Sequence, residues 1–194
     1  MLFDSLTNEE IVDSESALEF MKEATKLASS ADLEDLSERV SLKSECFQGH
    51  LSPSFVDKLD QGNFDRIVSL IFSIGRKSKR LIDANGFENL RNMIRELLHG
   101  VDPVEDRFSL FVNQVEGIEE KMRINFAGEL LHYSMPDRYW LWTNWIWDPD
   151  NNTGALPLVV QEEVDLLGET EGETYLRVGE AMSYVNRVGN ERGS

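Results

Sequence analysis

Residues 87–100, FENLRNMIRELLHG, predict an α-helix that begins near Phe87 and ends at Gly100. Glycine is common just past a helix end, because it adopts backbone conformations that other residues avoid. On either side of this helix, Asp102-Pro103 begins the next helix, and Asn63 precedes an earlier one. Both neighbouring helices place large apolar side chains at helical spacing. These side chains are Phe64, Ile67, Val68, Ile71 and Phe72 in the earlier helix, and Phe108, Phe111, Val112 and Val115 in the later one.

The two ends of the chain extend this pattern. Asn8 is a suitable N-cap for a helix from about Glu9 to Ala28, and Asp32 for a second helix. Near the C-terminus, the β-branched segment 156–160 favours a short strand. We therefore predict a mainly α fold, a compact multi-helix domain with a short β element or hairpin near residues 145–165. The apolar stripes predicted for the two N-terminal helices are Ile11, Ala17, Leu18, Met21, Ala24 and Leu27 in the first, and Leu33, Leu36 and Val40 in the second.

Charge divides the chain into segments. The net charge of −17 is concentrated at both ends, with −9 in residues 1–60, −1 in residues 61–147 and −7 in the remainder. From this we predict an acidic N-terminal helical segment, a near-neutral helical core and an acidic C-terminal turn, strand and helix packed on that core. The predicted ranges are 1–60, 61–147 and 148–188, followed by a disordered tail at 189–194.

Several functional classes find no support in the sequence. It has no run of about 18 apolar residues that could cross a membrane, no N-terminal signal pattern and one cysteine, Cys46. These features favour a cytoplasmic protein without a membrane partner. Glycine-rich phosphate loops and nucleophile motifs are absent, so an enzyme is the less favoured interpretation.

No metal or cofactor is expected either. Cys46 and His50 supply two ligands where a zinc site needs three or four. The alternation of Asp148, Asp150 and Asn152 resembles the start of a calcium loop. However, Thr153 stands where such a loop needs glycine, and Val159 where it needs glutamate.

The most unusual segment is 136–149, PDRYWLWTNWIWDP, which contains all four tryptophans of the chain. Their spacing fits neither one helix face nor one strand face, so the rings must point in several directions. A buried hub is the favoured interpretation, a partner interface comes second, and stacking on a ligand or base third. The residues predicted to bind a partner are Tyr139, Trp140, Trp142, Trp145 and Trp147.

A basic cluster is formed by Arg76, Lys77, Lys79 and Arg80. These four charges could contact the phosphates of a nucleic acid, with the tryptophans stacking on bases. The favoured interpretation is that they are solvated or paired with acids of the same chain.

Residues 115–144 resemble a degenerate helix-hairpin-helix of the DNA-glycosylase type. The resemblance rests on the run Val115-Glu116-Gly117-Ile118-Glu119-Glu120-Lys121-Met122, a helix to His132, and Met135-Pro136. In that family a Gly-hydrophobic-Gly turn presents backbone N–H groups to a DNA phosphate. Here Glu119 replaces the second glycine. The sequence Leu141-Trp142-Thr143-Asn144 offers no catalytic aspartate, and no iron–sulfur cysteines are present. The resemblance thus implies a helical architecture without glycosylase activity.

Three hypotheses on function follow. The first is a non-catalytic accessory or protein-interaction module, which binds a basic protein partner through the tryptophan-rich segment and its acidic surfaces. The second is a nucleic-acid-associated protein of helix-hairpin-helix type that uses residues 76–80, although the net charge disfavours it. The third is an enzyme with an unrecognised site near Glu129, His132 and Asp148. The sequence predicts no particular oligomeric state.

Overall fold

A computed structural model describes residues 7–192, and it confirms the mainly α fold class. Within this range β structure is limited to two isolated bridges, Val12 with Val160 and Asp148 with Thr153. No helix of the described part of the chain has the length and apolar character needed to cross a membrane. The helices are α1 (Asn8–Ile11), α2 (Ser14–Leu27), α3 (Ser30–Leu51), α4 (Gln61–Ser69), α5 (Ser78–Asn85), α6 (Phe87–His99), α7 (Val104–Gln114), α8 (Glu120–Ser134) and α9 (Glu171–Arg192), with short 3-10 turns at Val56–Lys58 and Leu156–Leu158.

The chain forms two compact units, which we describe separately. Unit 1 comprises Met1–Arg39 and Trp142–Ser194, and unit 2 comprises Val40–Leu141. The three segments predicted from charge, with boundaries at 60/61 and 147/148, stay a prediction. Unit 1 has 6 Lys and Arg against 21 Asp and Glu, a net charge of −15, whereas unit 2 has 13 against 15, a net charge of −2. The negative charge of the molecule therefore belongs almost entirely to unit 1.

The core of unit 2 is built around α6. This helix contacts α5, α7, α8 and the 3-10 turn at Val56–Lys58. Its buried side chains recur at helical spacing and form one apolar face. Each such side chain contributes roughly 1.5–3 kcal/mol when fully buried. The buried residues of α6 are Leu90, Ile94, Leu97 and Leu98.

The C-terminal end of α6 lies where the sequence predicts it. The Gly100 N–H donates to the Glu96 carbonyl over 2.9 Å. A Cβ atom at Gly100 would lie 2.8 Å from Arg107 Cδ, so a larger residue there would displace that side chain. Arg107 is buried, and it donates from Nε to the Asp102 carbonyl (2.8 Å) and from Nη1 to the Leu97 carbonyl. A guanidinium at this position also complements the negative end of the α6 dipole.

Helices α7 and α8 form a helical hairpin whose turn packs on α5. Gly117 has φ +86°, a value that favours glycine. A Cβ at this position would meet Ala84 Cβ at 2.9 Å and the Arg80 carbonyl oxygen at 3.0 Å. The Asn85 side chain accepts from the Glu116 N–H (2.8 Å) and donates to the Glu116 carbonyl (2.9 Å). The predicted break at Glu116-Gly117 is thus a turn fixed by contacts with α5.

In unit 1, the single helix predicted for residues 9–28 is divided in two. Asp13 lies between α1 and α2 with extended backbone, and its carboxylate accepts from the N–H groups of Glu15 and Ser16. Its own N–H donates to the Val159 carbonyl over 3.0 Å. The break therefore arises because residues 11–13 pair with a distant segment, which local helical spacing does not reveal.

That distant segment differs from the predicted strand at 156–160. Leu156–Leu158 is a 3-10 turn, and Val160 makes only the isolated bridge to Val12. Pro157 explains the difference, because it fixes φ and has no N–H to donate to a neighbouring strand. At the chain end, α9 continues to Arg192, so residues 189–192 of the predicted tail are helical. Residues 193–194 lie outside the described range.

Candidate functional site

Two of the four tryptophans form part of the interior of unit 1. Trp142 is 1% exposed, and Trp147 is also buried. The Trp142 Nε1–H donates to the Trp147 carbonyl over 3.0 Å, and the two rings stack at 6.5 Å between centroids. The Trp147 Nε1–H donates to Asn152 Oδ1 over 3.0 Å. Both indoles thus have the polar partner that buried tryptophans usually need.

Trp145, in contrast, is 72% exposed. Its backbone is held by the chain ten residues later, because the Ala155 N–H donates to the Trp145 carbonyl over 3.0 Å. Gly154, at φ +125°, allows this close approach, since a Cβ there would lie 2.6 Å from the Ile146 carbonyl oxygen. A fixed backbone therefore supports a large exposed ring.

The two remaining aromatic residues of the run, Tyr139 and Trp140, belong to unit 2. Tyr139 is buried, and its hydroxyl accepts from Arg107 Nη2 over 3.2 Å. Its carbonyl lies 2.8 Å from His132 Nδ1. Trp140 is half-buried. Of the five residues predicted to bind a partner, Trp145 is thus the one whose ring has most of its surface in solvent.

Sequence reasoning missed an exposed set of apolar side chains on α2 and α3. Only Ala17 of α2 is buried, so most of the predicted N-terminal stripe is not core. Leu27 is 89% exposed. The feature of the sequence that indicates this exposed set is the acidic composition of the segment, because an acidic segment has few apolar residues to form a core. The large exposed apolar side chains of these helices in unit 1 are Phe20, Met21, Leu27, Leu33 and Leu36, and α3 continues into unit 2 with exposed Val40 and Leu42.

Carboxylates accompany these apolar side chains in unit 1. Two of them, on Glu23 and Asp35, form ion pairs with Lys26 and Arg39, which are exposed. Hydrogen bonds from the Ser29 hydroxyl and N–H hold the pKa of Asp32 below its usual value, so this acid stays charged at neutral pH. In the described part of unit 1, the acids of α2 and α3 without an ion pair include Glu15, Glu19, Glu34 and Glu38.

The basic cluster occupies the turn before α5 and its first residues. Arg76, Lys79 and Arg80 are exposed, and Lys77 is half-buried at the N-cap position. None of these four cations forms an ion pair with any residue that the structure describes. Within residues 7–192 the basic cluster therefore has no intramolecular ion pair, and only the solvated form of the favoured interpretation applies to it.

The three residues of the enzyme hypothesis each form hydrogen bonds or ion pairs with other residues of the chain. Glu129, on α8, is buried and forms an ion pair with Lys43 of α3, whose Nζ lies 4.0 Å from the centre of the Tyr133 ring. Burial raises the pKa of Glu129, while the charge and hydrogen bond of Lys43 act in the opposite direction. Burial also raises the pKa of Tyr133, and the charge of Glu129 adds to that effect. His132 contacts the Tyr139 carbonyl, as described above.

Asp148 lies in unit 1, in the tight turn after the tryptophans. Its carboxylate accepts from the Asp150 N–H over 3.2 Å and from Asn151 Nδ2 over 2.9 Å. The two carboxylate oxygens of Asp148, which the calcium-like spacing suggested as metal ligands, therefore accept hydrogen bonds within the turn. No group of three His, Cys, Asp or Glu side chains among the described residues is placed to hold a metal ion.

In comparisons with known proteins, no family model, no curated protein and no solved structure matches this chain.

Proposed function

We propose that this protein is a non-catalytic accessory module that binds a partner protein through unit 1. The partner that fits best presents a basic amphipathic helix. One observation carries this proposal: large apolar side chains on α2 and α3 are exposed among carboxylates that have no ion pair.

The apolar side chains follow helical spacing, as in segments that pack against another helix. Phe20 and Leu27 are seven residues apart, and Leu33 and Leu36 are three apart. Residues at such spacing lie on one face of a helix. Grouped exposed apolar surface is typical of sites that a partner covers, because leaving it in water is unfavourable. A helix with its own apolar stripe is one familiar occupant of such a surface.

The charge of unit 1 selects the partner's chemistry. With a net charge of −15, two copies of this unit would repel each other on approach. Lysines and arginines beside the apolar stripe of another protein would instead be attracted, which raises the association rate and the specificity. A basic partner is therefore favoured over a second copy of this chain.

Trp145 is a second contact candidate in the same unit. Tryptophan is enriched among residues that dominate binding energy at interfaces, because one ring covers a large area. Its fixed backbone means that little conformational entropy is lost when a partner packs on it.

The proposal is tested with a synthetic peptide of about 18 residues, five helical turns, made of leucine and lysine at amphipathic spacing. The control peptide has the same composition in an order without a stripe. We expect the full chain to bind the amphipathic peptide more tightly in calorimetry. Leu33→Ser with Leu36→Ser should weaken binding at least about tenfold, because roughly 1.4 kcal/mol of apolar contact is lost.

A matched control variant is available in unit 2. Leu110 on α7 is 48% exposed, close to the 47% of Leu33. Leu110→Ser should leave peptide affinity unchanged, and Trp145→Ala should lower it if the ring takes part. Equal affinity for the two peptides would mean that charge alone drives binding, and would overturn the proposal. An unchanged affinity in the double leucine variant would do the same.

A further inference from the structure

We propose that unit 2 has a separate binding site for single-stranded nucleic acid, formed by Arg76, Lys77, Lys79, Arg80 and the ring of Phe72. We call these five residues the basic corner. The site shares no residue with the partner surface proposed for unit 1, since all five residues lie in unit 2.

The four cations of the basic corner are unusual for an acidic chain. In an acidic chain, surface lysines and arginines usually have carboxylates nearby, and weak surface ion pairs form readily. Among the described residues, however, these four have no ion-pair partner. Two acids lie close along the chain or in space: Asp83 on α5, and Asp65, which accepts a hydrogen bond from the Ser78 hydroxyl. Neither acid forms an ion pair with the four cations, so the positive charge of the basic corner is available to an external anion.

The backbone at the N-terminal end of α5 adds to this positive charge. Lys77 is the N-cap of α5 and supplies no side-chain cap to it. The first N–H groups of a helix lack acceptors within the helix and carry a partial positive charge. This end of α5 adds to the attraction that the four side chains exert on a phosphate.

The ring of Phe72 lies close to these cations along the chain, and Phe72 is 86% exposed. It precedes Arg76 by four residues, so the two Cα atoms are at most about 14 Å apart. An exposed aromatic ring beside phosphate-binding side chains is the arrangement with which proteins bind unpaired bases, since every base has a face that can stack. The sequence pattern had placed Phe72 in an apolar stripe, so its exposure is a finding of the structure.

The same ring selects the type of nucleic acid. In a duplex the base faces are already stacked on each other, and Phe72 would have nothing to stack on. A membrane is less suitable, because α5 buries its one leucine, Leu81, and a single exposed ring, Phe72, is a small apolar surface for insertion. Single-stranded DNA or RNA uses both the cations and the ring.

The experiment measures binding of the full chain to fluorescein-labelled oligothymidylate of about 20 nucleotides by anisotropy, at a series of salt concentrations. Each phosphate contact contributes about −0.7 to the slope of log K against log salt. Four contacts therefore predict a slope of about −3. Arg76→Gln with Lys79→Gln should reduce this slope by about 1.4, and should lower the affinity roughly 50-fold at about 50 mM salt.

Two controls separate this site from general electrostatics. Lys22→Gln with Lys26→Gln makes the same change in net charge on two exposed lysines of unit 1, and should leave affinity and slope almost unchanged. Phe72→Ala should lower affinity about fivefold or more without changing the slope, since stacking does not displace counterions. The substituted lysines and arginine are exposed, and only Lys26 forms an ion pair among the described residues, with exposed Glu23, so these two double variants should fold.

Several outcomes would overturn the inference. They are no binding at low salt, equal loss of affinity in the two double variants, and a duplex bound as tightly as the single strand. Binding to vesicles containing anionic lipid but not to oligothymidylate would show that the basic corner serves a membrane instead.

Discussion

Glu129 illustrates how one residue's surroundings determine its chemistry. Its carboxylate is buried on α8 and faces Lys43, while the Lys43 ammonium lies over the Tyr133 ring. Removing a carboxylate from water favours its protonated form, and here this effect exceeds the opposing effect of Lys43 on the pKa. The ion pair with Lys43 therefore offsets part of the cost of burying the Glu129 carboxylate, and it does not by itself imply a gain in stability.

This environment predicts a pH dependence of stability. Because the pKa of Glu129 is raised above 4.5 by folding, its contribution to stability is fully present below pH 4.5. It is lost as the pH rises through the folded-state pKa. Glu129→Gln removes this titration, so the difference in melting temperature, wild type minus variant, should shrink from pH 4.5 upward and then level off. Thermal unfolding of both proteins, monitored by circular dichroism at each pH, measures this difference in melting temperature.

A contradicting result is equally clear. If that difference instead grows as the pH rises toward 4.5 from below and then levels off, the Lys43 interaction outweighs burial, and the folded-state pKa of Glu129 is lowered. Gln is the appropriate substitution because it has nearly the same size and can still accept a hydrogen bond from Lys43.

At the scale of elements, the helical hairpin α7–α8 depends on its turn. Gly117→Ala places a Cβ at a positive φ and against α5. We expect a loss of about 1–3 kcal/mol in the free energy of unfolding, from backbone strain and displaced contacts. Gly49→Ala is the matched control, since a Cβ there meets nothing within 4 Å and the site is helical. That change should stabilise by about 0.5–1 kcal/mol.

Chemical denaturation of the two glycine variants provides the measurement. A Gly117→Ala protein as stable as wild type would mean that the turn can rearrange without cost, and that its contacts with α5 do not fix the hairpin.

Local signals were sufficient for some elements and insufficient for others. The end of α6 at Gly100 and the start of α7 after Pro103 agree with the sequence, because capping and proline geometry act within a few residues. The division at Asp13 does not, because it depends on pairing between residues nearly 150 positions apart. The 3-10 turn at Leu156–Leu158 also differs from the prediction, because Pro157 prevents the strand that the β-branched composition favours.

The candidate sites were harder to predict for a related reason. Helical spacing identifies which apolar residues share a face, but not whether another element covers that face. Phe72, Leu33 and Leu36 all fit stripes, yet they are exposed. Likewise, the tryptophan spacing predicted rings in several directions without indicating that Trp142 is buried and Trp145 is not.

At the scale of the whole molecule, charge is distributed unevenly between the units. The net charge of −15 on unit 1 implies repulsion among its own carboxylates, and salt screens such repulsion. Raising NaCl from about 10 mM to about 150 mM shortens the screening length from roughly 30 Å to 8 Å. The melting temperature near neutral pH should therefore rise by a few degrees, as differential scanning fluorimetry can measure.

The control uses the isoelectric point. Near pH 4.5 the net charge is close to zero, so the same addition of salt should have little effect there. A melting temperature that falls with salt at neutral pH would show that attractive ion pairs dominate the electrostatics of the fold.

The discontinuity of unit 1 has a consequence for synthesis on the ribosome. All of Val40–Leu141 is made before Trp142–Ser194, so unit 2 can fold while unit 1 is incomplete. At about 5–20 residues per second, the N-terminal helices wait roughly 7–30 s for the residues that pair with Val12 and pack on α2. During that interval their dense negative charge would keep nascent chains apart, and so protect leucines that even the finished molecule leaves uncovered.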